Sequence, residues 1–294
     1  MSEEEFLKKE KWRLFALSFA GTFLVIGLMA VATVYWLAPP APDTPEAPMG
    51  DGVYLPAEED SFSMLVVGED QESGMLTFAL VGFYPTRGNM PVAVLPRETL
   101  LVGKNNTDTL EGVYRTGGAA YAKAALEACF EISIDRYAAV RAEGFVKVAD
   151  TVGVTDFDLP VELTGQNGLV RLAAGRQQLD GQKTVEILSY PSYPEGELQR
   201  CRVSAQVIAA VINTHLPLVD SPAADPVFGL AVDNADTDLN QVDYQQRKQA
   251  ASFMARLDVK PAQTISITGS YNGAGNTFSP TEAAKTALKA AFGQ

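Results

Sequence analysis

The chain of 294 residues is poor in the side chains that usually bind zinc or act as nucleophiles and bases. It contains two cysteines, Cys129 and Cys201, and one histidine, His215, and their spacing does not match a zinc site. His215 has no recognisable Ser or Cys partner, which favours a structural role over general-base catalysis. The cysteines could form a disulfide in an oxidising compartment or remain two buried thiols, and the sequence leaves both alternatives open.

Positive charge is also scarce, because 23 Lys and Arg residues against 36 Asp and Glu residues give a net charge of −13. Residues 1–13 carry equal numbers of acidic and basic side chains, so the acidic excess belongs to the rest of the chain. Proteins that bind nucleic acid need a basic surface. We therefore expect no nucleic-acid partner.

A long uncharged segment lies near the N-terminus. Residues 14–37 contain no charged side chain and are long enough to cross the hydrocarbon core of a bilayer, about 30 Å. Four basic residues precede this segment, whereas no Lys or Arg follows it until Arg87. The positive-inside rule therefore predicts a cytoplasmic tail over residues 1–13 and an extracellular C-terminal part. Because a signal peptide has a shorter apolar region of about 7–15 residues, we predict an uncleaved single-pass transmembrane helix in the cell membrane.

Two further regions follow this segment. Residues 38–61 are predicted to be a linker, since five prolines between Pro39 and Pro48 favour an extended, semi-rigid chain. Residues 62–294 alternate short apolar segments with segments of helical periodicity. That alternation predicts an α/β fold, a layered α-β-α domain with a central mixed sheet.

Arg97 is the first candidate for binding a ligand. The apolar residues Val92 to Leu95 predict a buried strand that ends at Pro96. Arg97 follows directly, and the carboxyl ends of strands are where α/β folds place ligand contacts. Arg97 is therefore predicted to contact an anion, and a surface ion pair with Glu98 or another carboxylate is the alternative.

Arg200 and Arg202 are the second pair of candidates. They lie at the start of a predicted helix that ends near His215. The free N–H groups and the dipole of a helix N-terminus favour negative charge, so both arginines are candidates for an anion site. Solvated side chains on a helix surface are the alternative.

Three further sequence patterns indicate local structure or ligand contacts less specifically. Gly117 and Gly118 precede a helical segment and are interpreted as a hinge rather than as a phosphate-binding loop. Tyr190 and Tyr193 lie in a proline-rich loop and either stack on sugar rings or pack within the loop. Residues 279–282, Ser-Pro-Thr-Glu, match a capping box with proline at the first helical position and predict the last helix.

In order and spacing, these elements resemble the LytR–CpsA–Psr family of envelope proteins, from about residue 62 to residue 292. The segments that carry the resemblance are Pro96-Arg97-Glu98-Thr99, similar to the family's Pro-Arg-Asp-Thr; Arg136-Tyr137 through Gly144-Phe145 to Val152-Gly153; Leu179-Asp180-Gly181-Gln182, similar to Leu-Asn-Gly-Glu-Gln; and the helix with Arg200, Arg202 and Gln206, which falls where the family has Arg-x-x-Arg-Gln-Gln.

The resemblance implies a function. Members of the family bind polyprenyl-pyrophosphate-linked glycopolymers and transfer the glycan phosphate onto peptidoglycan. The resemblance assigns arginines to the pyrophosphate, aspartates to Mg²⁺ and an apolar cavity to the lipid. In this chain it leaves Arg97, Arg200 and Arg202 as the pyrophosphate contacts.

Three departures from the family pattern affect this expectation. Gly74-Met75-Leu76-Thr77 stands where the family has Arg-Ser-Asp-Thr, Ser189-Tyr190-Pro191 replaces Arg-x-Arg, and Glu197 replaces the first arginine of the helix segment. We therefore expect no magnesium site and a degenerate transferase. One alternative is an active phosphotransferase that holds its metal with Glu69, Asp70 or Glu72. The other is a non-catalytic scaffold that binds partner proteins of the envelope.

Overall fold

The computed structural model describes residues 54–102, 107–165, 168–273 and 277–293. The predicted tail, the transmembrane helix over 14–37 and most of the linker lie outside the described residues. Within the described part, the stretch Glu197–Asp220 has the length and composition of a membrane span. It packs against the central sheet, as the core helix of a globular domain does.

The described elements follow the alternation that the sequence predicts. The strands are β1 Phe62–Asp70, β2 Met75–Phe83, β3 Met90–Leu95, β4 Leu100–Val102, β5 Thr107–Thr109, β6 Arg136–Arg141, β7 Thr155–Leu159, β8 Leu163–Thr164, β9 Val170–Leu172, β10 Gly175–Leu179, β11 Ala235–Thr237, β12 Ala262–Thr264, β13 Gly269–Tyr271 and β14 Phe278–Pro280. The helices are α1 Leu110–Phe130, α2 Ala142–Val152, α3 Gly181–Ser189, α4 Glu197–His215, α5 Ala224–Asp233, α6 Gln241–Ala255 and α7 Glu282–Phe292.

The central sheet has six strands in the order β11-β6-β1-β2-β3-β12. The pairs β6–β1 and β3–β12 are parallel, and the other three pairs are antiparallel. The prediction of a central mixed sheet is confirmed. Strand β3 is buried along its whole length, as expected for a run of apolar residues between two prolines.

Helices cover both faces of this sheet and give the predicted layers. Phe78 and Leu80 of β2 belong to the apolar cluster that includes residues of α1 and α7. Ala79, between them in sequence, belongs to the cluster that includes residues of α4 and α6. This alternation follows from the two-residue period of a strand, which sends successive side chains to opposite faces.

The two cysteines lie on opposite sides of the sheet. Cys129 packs at the edge of the α1 cluster, and Cys201 is buried in the α4 cluster. Both are free thiols. A disulfide needs Cα atoms within about 7 Å, which a sheet between the two residues prevents, so the alternative of two unpaired thiols is confirmed.

Two element boundaries differ from those that the sequence predicts, and one helix was not predicted. Helix α1 begins at Leu110 and runs through Gly117, so the glycine pair marks a kink inside the helix rather than its start. The alternating residues 264–268, Thr-Ile-Ser-Ile-Thr, predict a strand, whereas the structure forms β12 at Ala262–Thr264 in parallel register with β3. Helix α5, which lies between a loop and a three-residue strand, was not predicted from the sequence.

The last helix has a different cap from the one predicted. Thr281 is the N-cap, and its Oγ1 accepts a hydrogen bond from the Ala284 N–H at 3.1 Å. Ser279 instead pairs with Ser270 in the β13–β14 ladder. Strand pairing therefore takes precedence over the capping pattern, and Pro280 ends a strand instead of starting a helix.

Candidate functional site

Arg97 lies immediately beyond the end of β3, as predicted. Its Nε donates to Glu98 Oε1 at 2.9 Å, and its Nη1 lies 3.8 Å from Glu111 Oε2. The side chain is 31% exposed. Since the bond to Glu98 uses one of five guanidinium N–H groups, Arg97 combines the ion pair with remaining capacity to donate to an anion.

Arg200 occupies a different environment, because its side chain is only 1% exposed. Nε and Nη2 donate to the two carboxylate oxygens of Glu197 at 2.7 and 2.5 Å. Nη1 donates to Thr77 Oγ1 at 3.0 Å and to the Leu188 carbonyl at 2.7 Å, while Nη2 also donates to the Leu76 carbonyl at 3.3 Å. All five N–H groups of Arg200 are therefore bonded within the protein.

The charges around Arg200 are mostly negative. Burial works against the charged guanidinium, but the hydrogen-bonded carboxylate of Glu197 and the charge of Glu98 outweigh it and raise the pKa of Arg200. Burial also raises the pKa of the neighbouring Cys201 thiol, and both carboxylates add to that effect. Glu98 Oε2 accepts a hydrogen bond from the Tyr271 hydroxyl at 3.4 Å. The Glu98 carboxylate, which pairs with Arg97, thus also contributes negative charge at Arg200.

Arg202 is not brought together with the other two arginines. Its side chain is 49% exposed and donates to Glu195 Oε2 at 2.8 Å. Residues two apart on a helix point in different directions, so Arg202 projects from another side of α4 than Arg200.

An apolar cavity lies beside Arg200, between one face of the sheet and helices α2, α3 and α4. It encloses about 170 Å³. Thr77 and Leu188, which accept hydrogen bonds from Arg200, also line it. The other lining residues are mainly aliphatic and include Val66, Ala79, Val81, Phe145, Ile208 and Val211. An apolar chain bound here would end near the Arg200 guanidinium.

A larger polar groove of about 1380 Å³ opens next to the cavity. The two share Asp70, Ala142, Val185 and Ser189. The groove is lined by side chains of both charges, among them Arg141, Glu143, Lys147, Arg171 and Glu186. This groove could not be predicted from the sequence, because its walls come from separate segments and no local pattern shows that these segments lie side by side.

The three acidic residues proposed as an alternative metal site do not fit a magnesium ion. Glu69 accepts a hydrogen bond from the Tyr114 hydroxyl at 2.5 Å. Asp70 accepts bonds from the Ser73 hydroxyl at 2.7 Å and the Glu72 N–H at 3.0 Å, within its own loop. Among the described residues, no three Asp, Glu, His or Cys side chains are grouped to hold a metal ion.

The loop tyrosines and the histidine are packed into the fold. Tyr190 and Tyr193 are buried in an edge-to-face pair with ring centroids 5.2 Å apart, and the Tyr193 hydroxyl donates to the Ile187 carbonyl at 3.0 Å. Both rings are thus packed within the fold, and Tyr190 also lines the polar groove. His215 Nε2 lies 3.0 Å from Thr155 Oγ1, and burial lowers the pKa of its imidazole, in agreement with the structural role predicted for it.

Comparison with known proteins supplies the context for this site. The model of the LytR_cpsA_psr family matches residues 42–292. A curated relative is the polyisoprenyl-teichoic acid–peptidoglycan teichoic acid transferase TagU of Bacillus mycoides, with 26% identity over 192 residues, 63% of this chain and 62% of the relative. Biofilm regulatory protein A of Streptococcus mutans is 27% identical over 58% of this chain and 48% of its own length. The chain thus spans less than two thirds of the length of the curated relatives it matches.

Solved structures share the fold. TagV of B. subtilis has a TM-score of 0.63 at 23% identity and covers 79% of this chain and 97% of its own. The structure of TagT bound to LIIa-WTA has a TM-score of 0.62 at 20% identity, over 82% of this chain and 94% of its own. These likenesses agree with the layered mixed sheet, and the family model spans the domain that contains the site. The chain belongs to the LytR–CpsA–Psr family.

Proposed function

We propose that this protein is a membrane-anchored, extracytoplasmic envelope protein that binds a polyprenyl-pyrophosphate-linked glycopolymer, with a degenerate transferase activity. The relatives named as polyisoprenyl-teichoic acid–peptidoglycan transferases support the class of ligand. Peptidoglycan is the expected acceptor or neighbour. The anchor is the uncharged segment over residues 14–37, with the N-terminus in the cytoplasm.

The apolar cavity beside Arg200 is the observation that carries this proposal. Aliphatic side chains from the sheet and three helices line it, and such a lining favours a hydrocarbon chain, because each buried CH₂ contributes about 0.8 kcal/mol. Arg97 is the contact proposed for the head group, since it lies at the strand end and has N–H groups left to donate. The polar groove next to the cavity offers room for the glycan.

Two observations support a degenerate transferase activity, one on the metal site and one on the arginines that transfer would need. Phosphoryl transfer depends on cations that neutralise charge on the leaving and transferred groups. Here the described residues offer no cluster for a metal ion, and Arg200 is already bonded to Glu197. Arg97 alone binds an anion without supplying the remaining stabilisation.

A cavity-filling substitution tests the binding part. Val211→Phe adds volume inside the cavity, and Val242→Phe makes the same change at an exposed position of α6. The full chain in detergent should bind a polyprenyl-pyrophosphate glycan, lose that binding with Val211→Phe, and keep it with Val242→Phe. Equal binding by all three proteins, or no binding by the unmodified protein, would reject a polyprenyl ligand in this cavity. The second result would favour the scaffold alternative.

The active phosphotransferase is kept as a second candidate, because the names of the curated relatives describe transferases. If Glu69, Asp70 or Glu72 held the metal in that candidate, replacing all three with alanine would abolish glycan transfer. Since these side chains are not grouped to hold a metal ion, we expect any transfer to continue unchanged in the triple variant.

A further inference from the structure

Glu197 binds Arg200 in the geometry that a phosphate would use. Its two carboxylate oxygens accept from Nε and Nη2 of the guanidinium at 2.7 and 2.5 Å, and two parallel bonds of this kind are how guanidinium groups recognise carboxylates and phosphates alike. We propose that Glu197 is a built-in anion whose carboxylate occupies the phosphate-binding edge of Arg200 and so lowers the affinity of this site for phosphate and pyrophosphate head groups.

The hydrogen bonds of Arg200 leave one acceptor that can be displaced. Its other three N–H groups donate to Thr77 Oγ1 and to the carbonyls of Leu76 and Leu188. Two of those acceptors are main-chain atoms of β2 and α3 that the fold holds in place, and the third, Thr77 Oγ1, belongs to a side chain buried in β2. The Glu197 side chain is 15% exposed and that of Arg200 is 1% exposed, so Glu197 is the more accessible member of the pair. A phosphate therefore reaches Arg200 only by replacing the Glu197 carboxylate.

The surrounding charges make that replacement unfavourable. The Glu98 carboxylate acts on Arg200 as well as pairing with Arg97. A phosphate that approaches Arg200 meets the Glu197 carboxylate already bonded to it, and like charges at short range are repelled. Glu197 is thus a positioning and specificity residue, which acts on the ligand through Arg200.

This inference deepens the proposed function, and rests on it only where lipid binding is concerned. Anion affinity can be measured with inorganic pyrophosphate alone, without a lipid. The protein needed is the full chain in detergent, with Glu197→Ala and, as a matched control, Glu195→Ala. Glu195 precedes the same helix and pairs with the exposed Arg202, so both variants lose one negative charge and release one arginine.

We expect Glu197→Ala to melt at a lower temperature than the unmodified protein, because the buried Arg200 charge loses its partner. Pyrophosphate should restore the melting temperature and bind at least about tenfold more tightly than to the unmodified protein, as a charge-assisted hydrogen bond predicts. Glu195→Ala should show neither effect. Adding Arg200→Met to Glu197→Ala should remove the gain in pyrophosphate affinity.

If Glu197→Ala does not fold, Glu197→Gln keeps the side-chain volume and serves for the same titration. Equal pyrophosphate affinity of the unmodified protein and the Glu197 variants would overturn the inference, and so would an equal gain in Glu195→Ala. The proposed function fails separately, if the unmodified protein binds no polyprenyl lipid. A gain in pyrophosphate affinity with Glu197→Ala would still support the role of Glu197 in that event.

Discussion

At the scale of single residues, the burial of Arg200 accounts for much of the site's character. The cost of burying a guanidinium that is 1% exposed is offset by the carboxylate, hydroxyl and carbonyl oxygens that accept its hydrogen bonds. These partners come from β2, α3 and α4, so this one side chain joins three elements. Its loss should affect the stability of the domain more than the loss of any exposed arginine.

The first prediction compares Arg200 with Arg202. Arg200→Ala should lower the free energy of unfolding by about 3–5 kcal/mol, because it leaves Glu197 and two carbonyls without their donor. Arg202→Ala removes only an exposed ion pair and should cost less than about 1 kcal/mol. Urea unfolding followed by circular dichroism measures both. Similar losses in the two variants would contradict the internal role of Arg200.

The second prediction concerns His215, the single histidine of the chain. Burial lowers the pKa of its imidazole below 6.5. The unfolded chain therefore binds a proton more readily than the folded protein does. The stability that comes from keeping His215 neutral is fully present above pH 6.5 and is lost as the pH falls through the folded-state pKa.

Nuclear magnetic resonance can test this directly, since one imidazole gives one titration curve. The midpoint in the folded protein should lie below 6.5. His215→Asn should reduce the loss of unfolding free energy on acidification below pH 6.5. A midpoint at or above 6.5 would contradict the buried, neutral environment.

At the scale of elements, the kink in α1 depends on Gly118. Its backbone angles are φ 70° and ψ −167°, in a region that is essentially limited to glycine. The helix segment before the kink carries Glu111 and Tyr114, which contact Arg97 and Glu69. The kink therefore sets how the first turns of α1 lie against both sides of the site.

The third prediction uses two helical glycines that differ in backbone conformation. Added Cβ atoms at Gly118 and Gly229 would both meet open space, but only Gly118 has a positive φ. Gly118→Ala should cost about 1–3 kcal/mol of unfolding free energy, whereas Gly229→Ala in α5 should be neutral or stabilise by up to about 1 kcal/mol. Chemical denaturation distinguishes these outcomes. Equal changes in unfolding free energy in the two variants would mean that the backbone conformation at Gly118 does not require glycine.

The fourth prediction separates the observed cap of α7 from the cap expected from the sequence. Thr281→Ala removes the acceptor of the Ala284 N–H and should cost about 1 kcal/mol. Ser279→Ala changes an exposed strand residue and should stay within about 0.5 kcal/mol of the unmodified protein. A larger loss of thermal stability in Ser279→Ala than in Thr281→Ala would indicate that Ser279 is the cap.

At the scale of the whole molecule, the sequence predicted what local patterns encode. The apolar residues between Pro91 and Pro96 gave strand β3, and with it the position of Arg97 at a strand end. The order of elements was enough for the layered mixed sheet and the family resemblance. The start of α1 was predicted wrongly at the glycine pair, because a helix can continue through one glycine residue whose backbone departs from helical angles.

The rest of the site could not be predicted, because it depends on contacts between distant segments. Arg200 and Leu76 are 124 positions apart, and Glu98 and Tyr271 are 173 positions apart. The cavity and the groove likewise combine walls from separate elements. The sequence recorded that Glu197 replaces an arginine of the family pattern, but only the fold places its carboxylate on Arg200.

The most direct test of the account is a transfer assay with the full chain. The purified protein is incubated with a polyprenyl-pyrophosphate glycan, peptidoglycan and Mg²⁺, beside a TagU-type relative as the positive control, and glycan attached to peptidoglycan is counted. We predict attachment close to background for this protein in a sample that nevertheless binds the lipid. Attachment at a rate comparable to that of the relative would contradict it.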